Sequence, residues 1–144
     1  MKKTSFISRR TTHAIRVGYV DTDKAQVVHH SAYFRFLEAA RVEFWRSGGL
    51  DYRKFEEDTG LGLPVVEAKQ RYRKAARFDD LLTIETWVSE ASRASIWVDA
   101  KISRGAETIH ESSIRLACIS FAEQALRKIP DAVLAASLEK GWDV

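Results

Sequence analysis

Residues 19–45 read Tyr19-Val20-Asp21-Thr22-Asp23-Lys24-Ala25-Gln26-Val27-Val28-His29-His30-Ser31-Ala32-Tyr33-Phe34-Arg35-Phe36-Leu37-Glu38-Ala39-Ala40-Arg41-Val42-Glu43-Phe44-Trp45, and the fold turns on this stretch. In its second half Tyr33, Phe36, Leu37, Ala40, Phe44 and Trp45 recur at helical intervals and make one wide apolar face. Phe34 and Val42 add apolar side chains off that face, so the spacing predicts a helix buried on most sides. Ser31 is the expected N-cap and Gly48-Gly49 the stop signal. Ahead of the helix lies a loop with two carboxylates and two histidines. The first N–H groups of a helix lack intrahelical acceptors and carry partial positive charge. A carbonyl oxygen that gains negative charge during a reaction is stabilised there. A carboxylate, an imidazole and such an oxyanion site in one loop point to acyl transfer or hydrolysis.

On the N-terminal side, His13, Ile15, Val17 and Tyr19 alternate with smaller or polar residues, which predicts a half-buried strand. On the C-terminal side, Asp51 to Asp58 reads as a short helix capped by Asp51, with Gly60 and Gly62 beyond it. From Pro64 the period changes to two. Val66, Ala68, Gln70 and Tyr72 alternate with Val65, Glu67, Lys69, Arg71 and Arg73, and Asp79-Asp80 sits at a turn. Further strands carry Leu82, Ile84, Thr86 and Val88, then Ile96, Val98, Ala100 and Ile102, with a hairpin turn at Arg104-Gly105-Ala106. The last strand has Ile109, Ala117, Ile119 and Phe121 on one parity and Ile114, Leu116 and Cys118 on the other. Pro130-Asp131 then opens a helix over Ala132–Lys140. Tight turns between successive strands favour antiparallel neighbours. One long apolar helix must bury its face, and the sheet is the available partner. The expected fold is α+β, a curved antiparallel sheet wrapped around one long central helix, with residues 1–144 as one domain.

Composition sets the outer limits. A hydrophobic fraction of 45% supports a core, and no run of about 18 apolar residues is present to span a membrane. The basic N-terminus lacks the apolar stretch of a signal peptide, so a cytoplasmic location is expected. One cysteine, Cys118, excludes an intrachain disulfide and reads as an inert core thiol. His29 and His30, without a carboxylate at ligand spacing, are not a metal signal, and no cofactor is expected. The mild net charge of +3 allows a phosphorylated ligand without requiring nucleic acid, and aromatic interleaving near the basic residues is sparse.

Asp21-Thr22-Asp23, then Val27-Val28-x-His30-x-x-Tyr33, then Phe36-Leu37-Glu38-Ala39-Ala40-Arg41, resembles the 4-hydroxybenzoyl-CoA thioesterase family, nearest its Tol-Pal-associated acyl-CoA thioesterases. The likeness continues at Tyr72 to Thr86 through Asp79-Asp80-x-Leu82 and covers roughly residues 12–135. It implies the hotdog fold, acyl-CoA as substrate, and active sites built between subunits of a homodimer or a dimer of dimers. It also implies that Asp23, the second Asp of the motif, is the catalytic carboxylate and Asp21 shapes the loop.

Each residue also has a plainer role to weigh. Asp21 and Asp23 are of the type that makes loop hydrogen bonds. Asp23 has two chemical routes open: attack on the thioester carbonyl to form a mixed anhydride, or general-base activation of water. His30 is either an orienting group beside the helix start or a histidine packing on Tyr33. Val28, His29, Ser31 and Tyr33 are candidate substrate contacts. Glu38 and Arg41 fit an ion pair one turn apart, with Glu38 a lesser candidate catalyst. Lys69, Arg71, Arg73, Lys74 and Arg77 form the densest basic stretch, read as a solvated edge or, through Arg73 and Arg77, as contacts to coenzyme A phosphates. Gln26 stands where relatives carry Gly, which bears on the acyl pocket. A non-catalytic acyl-thioester-binding protein and a hydroxyacyl-thioester dehydratase of the same fold remain alternatives.

Overall fold

Period-two alternation builds the sheet. In the computed structural model, which describes residues 6–140, Leu82, Ile84, Thr86 and Val88 are buried while Leu81, Thr83 and Ser89 are exposed. The main elements are β1 (Arg10–Arg16), α1 (His30–Ser47), α2 (Tyr52–Thr59), β2 (Val65–Tyr72), β3 (Leu81–Ala91), β4 (Ser95–Arg104), β5 (Glu107–Ala117) and α3 (Asp131–Ser137). The five strands form one antiparallel sheet in the order β1-β3-β4-β5-β2. Helix α1 lies against the dry face and buries Tyr33, Phe36, Leu37, Phe44 and Trp45. Its far end meets α3 closely: a Cβ on Gly48 would lie 2.3 Å from the Ala136 carbonyl oxygen. Trp45 Nε1 donates to Ser137 Oγ at 2.9 Å across the same contact. The expected α+β hotdog arrangement is what the chain adopts. Among the described residues, no helix is long and apolar enough to cross a membrane.

Several details differ from the sequence reading. β2 pairs with β5 and not with its sequence neighbour β3, because β1 and β4 already occupy both edges of β3. Residues 73–80 therefore make a crossover rather than a tight turn. As an edge strand without a helix over it, β2 stays largely exposed, Val65 and Val66 included. Helix α1 begins at His30 with His29 in the cap position, so Ser31 is a first-turn residue and not the N-cap. Nor is α1 dry all round: Phe34 is 42% exposed and Val42 half-buried. Tyr19 leaves the strand for a short 3-10 turn and is exposed. The C-terminal helix ends at Ser137, and Leu138–Lys140 instead pairs with Ile7–Ser8. The N-terminal residues 1–5 and the last residues 141–144 lie outside the described part.

The loop before α1 is a tight hairpin. Thr22 and Val28 form a β-bridge, Asp23 N–H donates to Val27 O at 3.0 Å, and Gln26 N–H donates to Asp23 O at 2.9 Å. The turn needs a left-handed residue at its last position, and Gln26 supplies it with φ 66°. A side chain in that region costs about 1–2 kcal/mol, which glycine avoids. Gln26→Gly should therefore raise the unfolding free energy by about 0.5–1 kcal/mol, after the extra backbone entropy of glycine is subtracted. Urea unfolding of the two proteins measures it.

A titratable side chain is sealed in the sheet's dry face. His110 is fully buried on β5. Gln70 Nε2 donates to Ser112 Oγ at 2.6 Å, so Gln70 Oε1 accepts from His110 Nε2–H, also at 2.6 Å. His110 Nδ1 is then an acceptor with no partner among the described residues. Burial, with a lesser push from His30, lowers its pKa to about 4. An unfolded chain protonates this histidine near pH 6.5, before the folded one does, so stability falls as acid is added. Between pH 7 and pH 4, His110 should remove about 3 kcal/mol of unfolding free energy. His110→Phe should flatten the curve by that amount, as read from urea midpoints across the range.

Candidate active site at the start of the central helix

The two carboxylates of the loop do different jobs. Asp21 is 3% exposed. Its Oδ2 accepts from Gly18 N–H at 2.8 Å, its Oδ1 pairs with Arg35, and its carbonyl accepts from His29 N–H at 3.1 Å. Those bonds tie the loop to the first turns of α1. Asp23 is exposed on the hairpin. Its Oδ1 accepts from Ala25 N–H at 2.8 Å, and Oδ2 has no hydrogen-bond partner among the described residues.

A second clamp holds the hairpin from the other side. Val28 N–H donates to Ala76 O at 2.8 Å, Val27 bridges Arg77, and Ala76 N–H donates to Tyr33 Oη at 3.3 Å. The crossover is fixed in turn by Arg104, which donates to Ala75 O at 3.1 Å and to Asp80 Oδ2 at 2.8 Å. Asp80 Oδ2 also accepts from Arg77 N–H at 2.9 Å. Although its partial burial opposes ionisation, these contacts hold the Asp80 carboxyl below the usual carboxylate range. So the Asp79-Asp80 motif is structural: it shapes the wall against which the hairpin rests.

Between hairpin, helix start and crossover lies a cleft of about 220 Å³. Val27, Val28, His30, Tyr33, Tyr72 and Arg73 line it. The His30 ring stacks on Tyr72 at 4.2 Å, and Tyr33 stacks on His110 at 4.5 Å. The amides of Val28, His29 and Ala32 already have backbone acceptors. Helix geometry leaves the N–H groups of His30 and Ser31 without intrahelical acceptors at the mouth of this cleft. A developing oxyanion there meets N–H donors and the positive end of an 18-residue helix.

Of the expected site residues, Val28, His30, Tyr33 and Arg73 face this cleft together. His29 and Ser31 sit beside it and contact each other, Nδ1 to Oγ at 2.7 Å. Asp23 is on the adjoining hairpin and does not line the cleft wall. Arg77 contributes backbone to the hairpin clamp and leaves its side chain exposed. The basic stretch is mostly engaged within the chain: Arg73 pairs with Glu111 at 2.7 Å, Lys74 with Glu107 at 2.7 Å, and Lys69 lies 4.9 Å over the Trp97 ring. Arg41 makes no ion pair with Glu38 among the described residues. Sequence reasoning missed Tyr72, Arg104 and His110 as parts of this region, since only the β2–β5 pairing and the crossover bring them there. Among the described residues, no group of three or more His, Cys, Asp or Glu side chains is placed to hold a metal.

Comparison with known proteins identifies the family. Residues 17–137 match the thioesterase-like superfamily. The acyl-CoA thioesterase YbgC of Haemophilus influenzae is 33% identical over 122 residues, covering 85% of this chain and 90% of that protein. The 4-hydroxybenzoyl-CoA thioesterase of Pseudomonas sp. (strain CBS-3) is 32% identical over 100 residues, covering 68% of this chain and 71% of that protein. A crystal structure of a 4-hydroxybenzoyl-CoA thioesterase mutant complexed with 4-hydroxybenzoyl-CoA superposes with a TM-score of 0.80 at 27% identity, covering 90% of this chain and 99% of that one. With its hotdog sheet, its long central helix and this extent of matching sequence, the chain belongs to the thioesterase-like superfamily.

Proposed function

We propose that the protein is an acyl-CoA thioesterase, converting an acyl-CoA thioester and water to a carboxylic acid and coenzyme A, with Asp23 as its catalytic carboxylate. The observation that carries this reading is the placement of the Asp23 hairpin beside the first turn of α1, clamped through Asp21 on one side and Ala76 on the other. In this reading the thioester carbonyl lies at the helix start, its oxygen toward the N–H groups of His30 and Ser31. Asp23 Oδ2 then does one of two things. It attacks the carbonyl carbon, the C–S bond breaks, and water cleaves the resulting anhydride to restore the carboxylate. Alternatively it takes a proton from the attacking water. On either route the thiolate leaves with the bonding pair and is protonated from His30 or solvent. Val28 and Tyr33 contact the acyl group, while His29 and Ser31 steady the approach to the helix start. Arg73 and Arg77 meet the phosphates of coenzyme A, Arg73 giving up its bond to Glu111 to do so.

The protein is further proposed to work as a cytoplasmic homo-oligomer, a dimer or a dimer of dimers. The exposed edge strand β2 supports this: it is paired on one side only, and it borders the cleft at Tyr72. A second copy against that edge supplies the missing wall.

Asp23→Asn preserves the acceptor for Ala25 N–H, so its melting curve and circular dichroism should match the parent. Thiol release from acyl-CoA should fall by about 10²- to 10⁴-fold. Full activity in the variant overturns the assignment. A single turnover in oxygen-18 water tests the covalent route: label in the Asp23 carboxylate establishes an anhydride opened at the aspartyl carbonyl.

A further inference from the structure

The cleft at the helix start and a second cavity both border helix α1 and edge strand β2. Helix α1 and edge strand β2 approach each other at both ends of the strand. At one end His30 stacks on Tyr72, the last residue of β2. At the other, Val65, the first residue of β2, lines the second cavity with residues of the same helix. At 3.6 residues per turn His30, Phe34 and Arg41 fall within about 40° of one another on α1, and about 16 Å of helix separates the first from the last. The exposed Phe34 ring thus lies on the stripe that joins the two ends.

The second cavity has a volume of about 340 Å³. Val42, Trp45, Leu63, Pro64 and Phe121 give it apolar walls. Gly62 is what lets Phe121 come in: a Cβ there would lie 2.2 Å from the ring. Tyr52 closes one side, its hydroxyl accepting from Leu63 N–H at 2.8 Å. Arg41 is the one cation in the lining, and it has no hydrogen bond or ion pair among the described residues. A guanidinium offers only donors, and withdrawn from water it needs acceptors. Glu38 and Glu56 also line the cavity, so its polar end carries both signs.

We propose that this cavity is the far end of the acyl site and selects acyl groups ending in a carboxylate, which Arg41 binds. The assignment rests on the acyl-CoA reading of the first cleft. A terminal carboxylate matches the fork of the guanidinium, whereas a terminal methyl group leaves Arg41 desolvated without an acceptor. The apolar walls suit the methylene chain that leads to that end. Glu38 limits the affinity, being one turn from Arg41 and of the same sign as the ligand.

The test compares thiol release from dodecanoyl-CoA and dodecanedioyl-CoA, together with calorimetric binding of free dodecanedioic acid, which needs no turnover. The parent should favour the dicarboxylic substrate in kcat/KM by about 10- to 100-fold. Arg41→Met should abolish that preference, lowering kcat/KM for dodecanedioyl-CoA and raising it for dodecanoyl-CoA, and Glu38→Gln should increase it. Arg41→Lys keeps the charge but loses the fork, so it should show an intermediate ratio; it serves if the Met variant does not fold. An unchanged ratio in the Arg41 variants overturns the proposal. So does absence of binding by the free diacid together with an oligomer that dissociates in Arg41→Met, which assigns the cavity to a second copy. Arg41-dependent binding of the diacid without thiol release from any acyl-CoA supports the cavity assignment and overturns the hydrolase reading instead.

Discussion

The burial of one helix against one sheet face governs the rest of the molecule. Phe36, Leu37, Phe44 and Trp45 are each almost fully buried. At about 1.5–3 kcal/mol for each large side chain removed from water, no other single element of the chain has a comparable pull. Once that face is down, the axis of α1 is fixed and so is the position of its N-terminus. The start of the helix cannot be buried without acceptors for its amides, and it emerges at the end of the sheet where the hairpin and the crossover meet. The candidate active site is thus a by-product of packing. It is the place where a core helix must end and where its unsatisfied amides face a cleft.

Polar groups near this end are arranged so that the loop has little freedom. Asp21 is withdrawn from water, which is tolerable only because Gly18 N–H and Arg35 both meet its oxygens. The crossover is pinned by Arg104 through Asp80 and through the Ala75 carbonyl. The hairpin therefore has two fixed supports, while the Asp23 carboxylate accepts a single local hydrogen bond. Rigid supports under a loosely bonded carboxylate suit a group that must meet a reacting carbon. A carboxylate whose two oxygens are already engaged, as those of Asp21 are, has no room for a substrate. The same division explains why two aspartates two residues apart have separate fates.

Much of this was legible beforehand, for physical reasons that can be named. The α1 face was visible because a six-residue apolar pattern at helical spacing has few other interpretations, and the strands were visible where one face is dry. What failed was non-local. Which edge β2 joins is decided by the strands that reach β3 first, and nothing within residues 65–72 encodes that. The exposure of Phe34 is non-local in the same way, because helical spacing alone does not say which strip of α1 the sheet leaves uncovered. The N-cap was misplaced by two residues, at Ser31 instead of His29, because His29 takes the extended cap conformation and cap preferences do not resolve nearby polar residues. His110 and Arg104 could not be found from local patterns, since their roles exist only across β2–β5 and across the crossover. Gln26 is the converse case. Its departure from glycine was visible in the sequence, and the left-handed backbone shows that the usual glycine answers a turn requirement.

The basic residues show why charge in a sequence is weak evidence for a ligand. Five cations lie within residues 69–77, yet Lys69 lies over Trp97, and Arg73 and Lys74 are paired with glutamates of β5. Surface pairs of this kind contribute at most about 1 kcal/mol each, so an incoming phosphate can displace a glutamate from Arg73 at small cost. Arg41 is half-buried beside apolar residues, with Glu38 one turn away, and among the described residues it has no ion pair to give up. A cation that is already neutralised locally offers a ligand little net gain, whereas one held out of water without an acceptor offers the full value of the missing bond. On that reasoning, selectivity for the acyl end should lie with Arg41, and the crowded basic strand should serve mainly to hold β2 against β5.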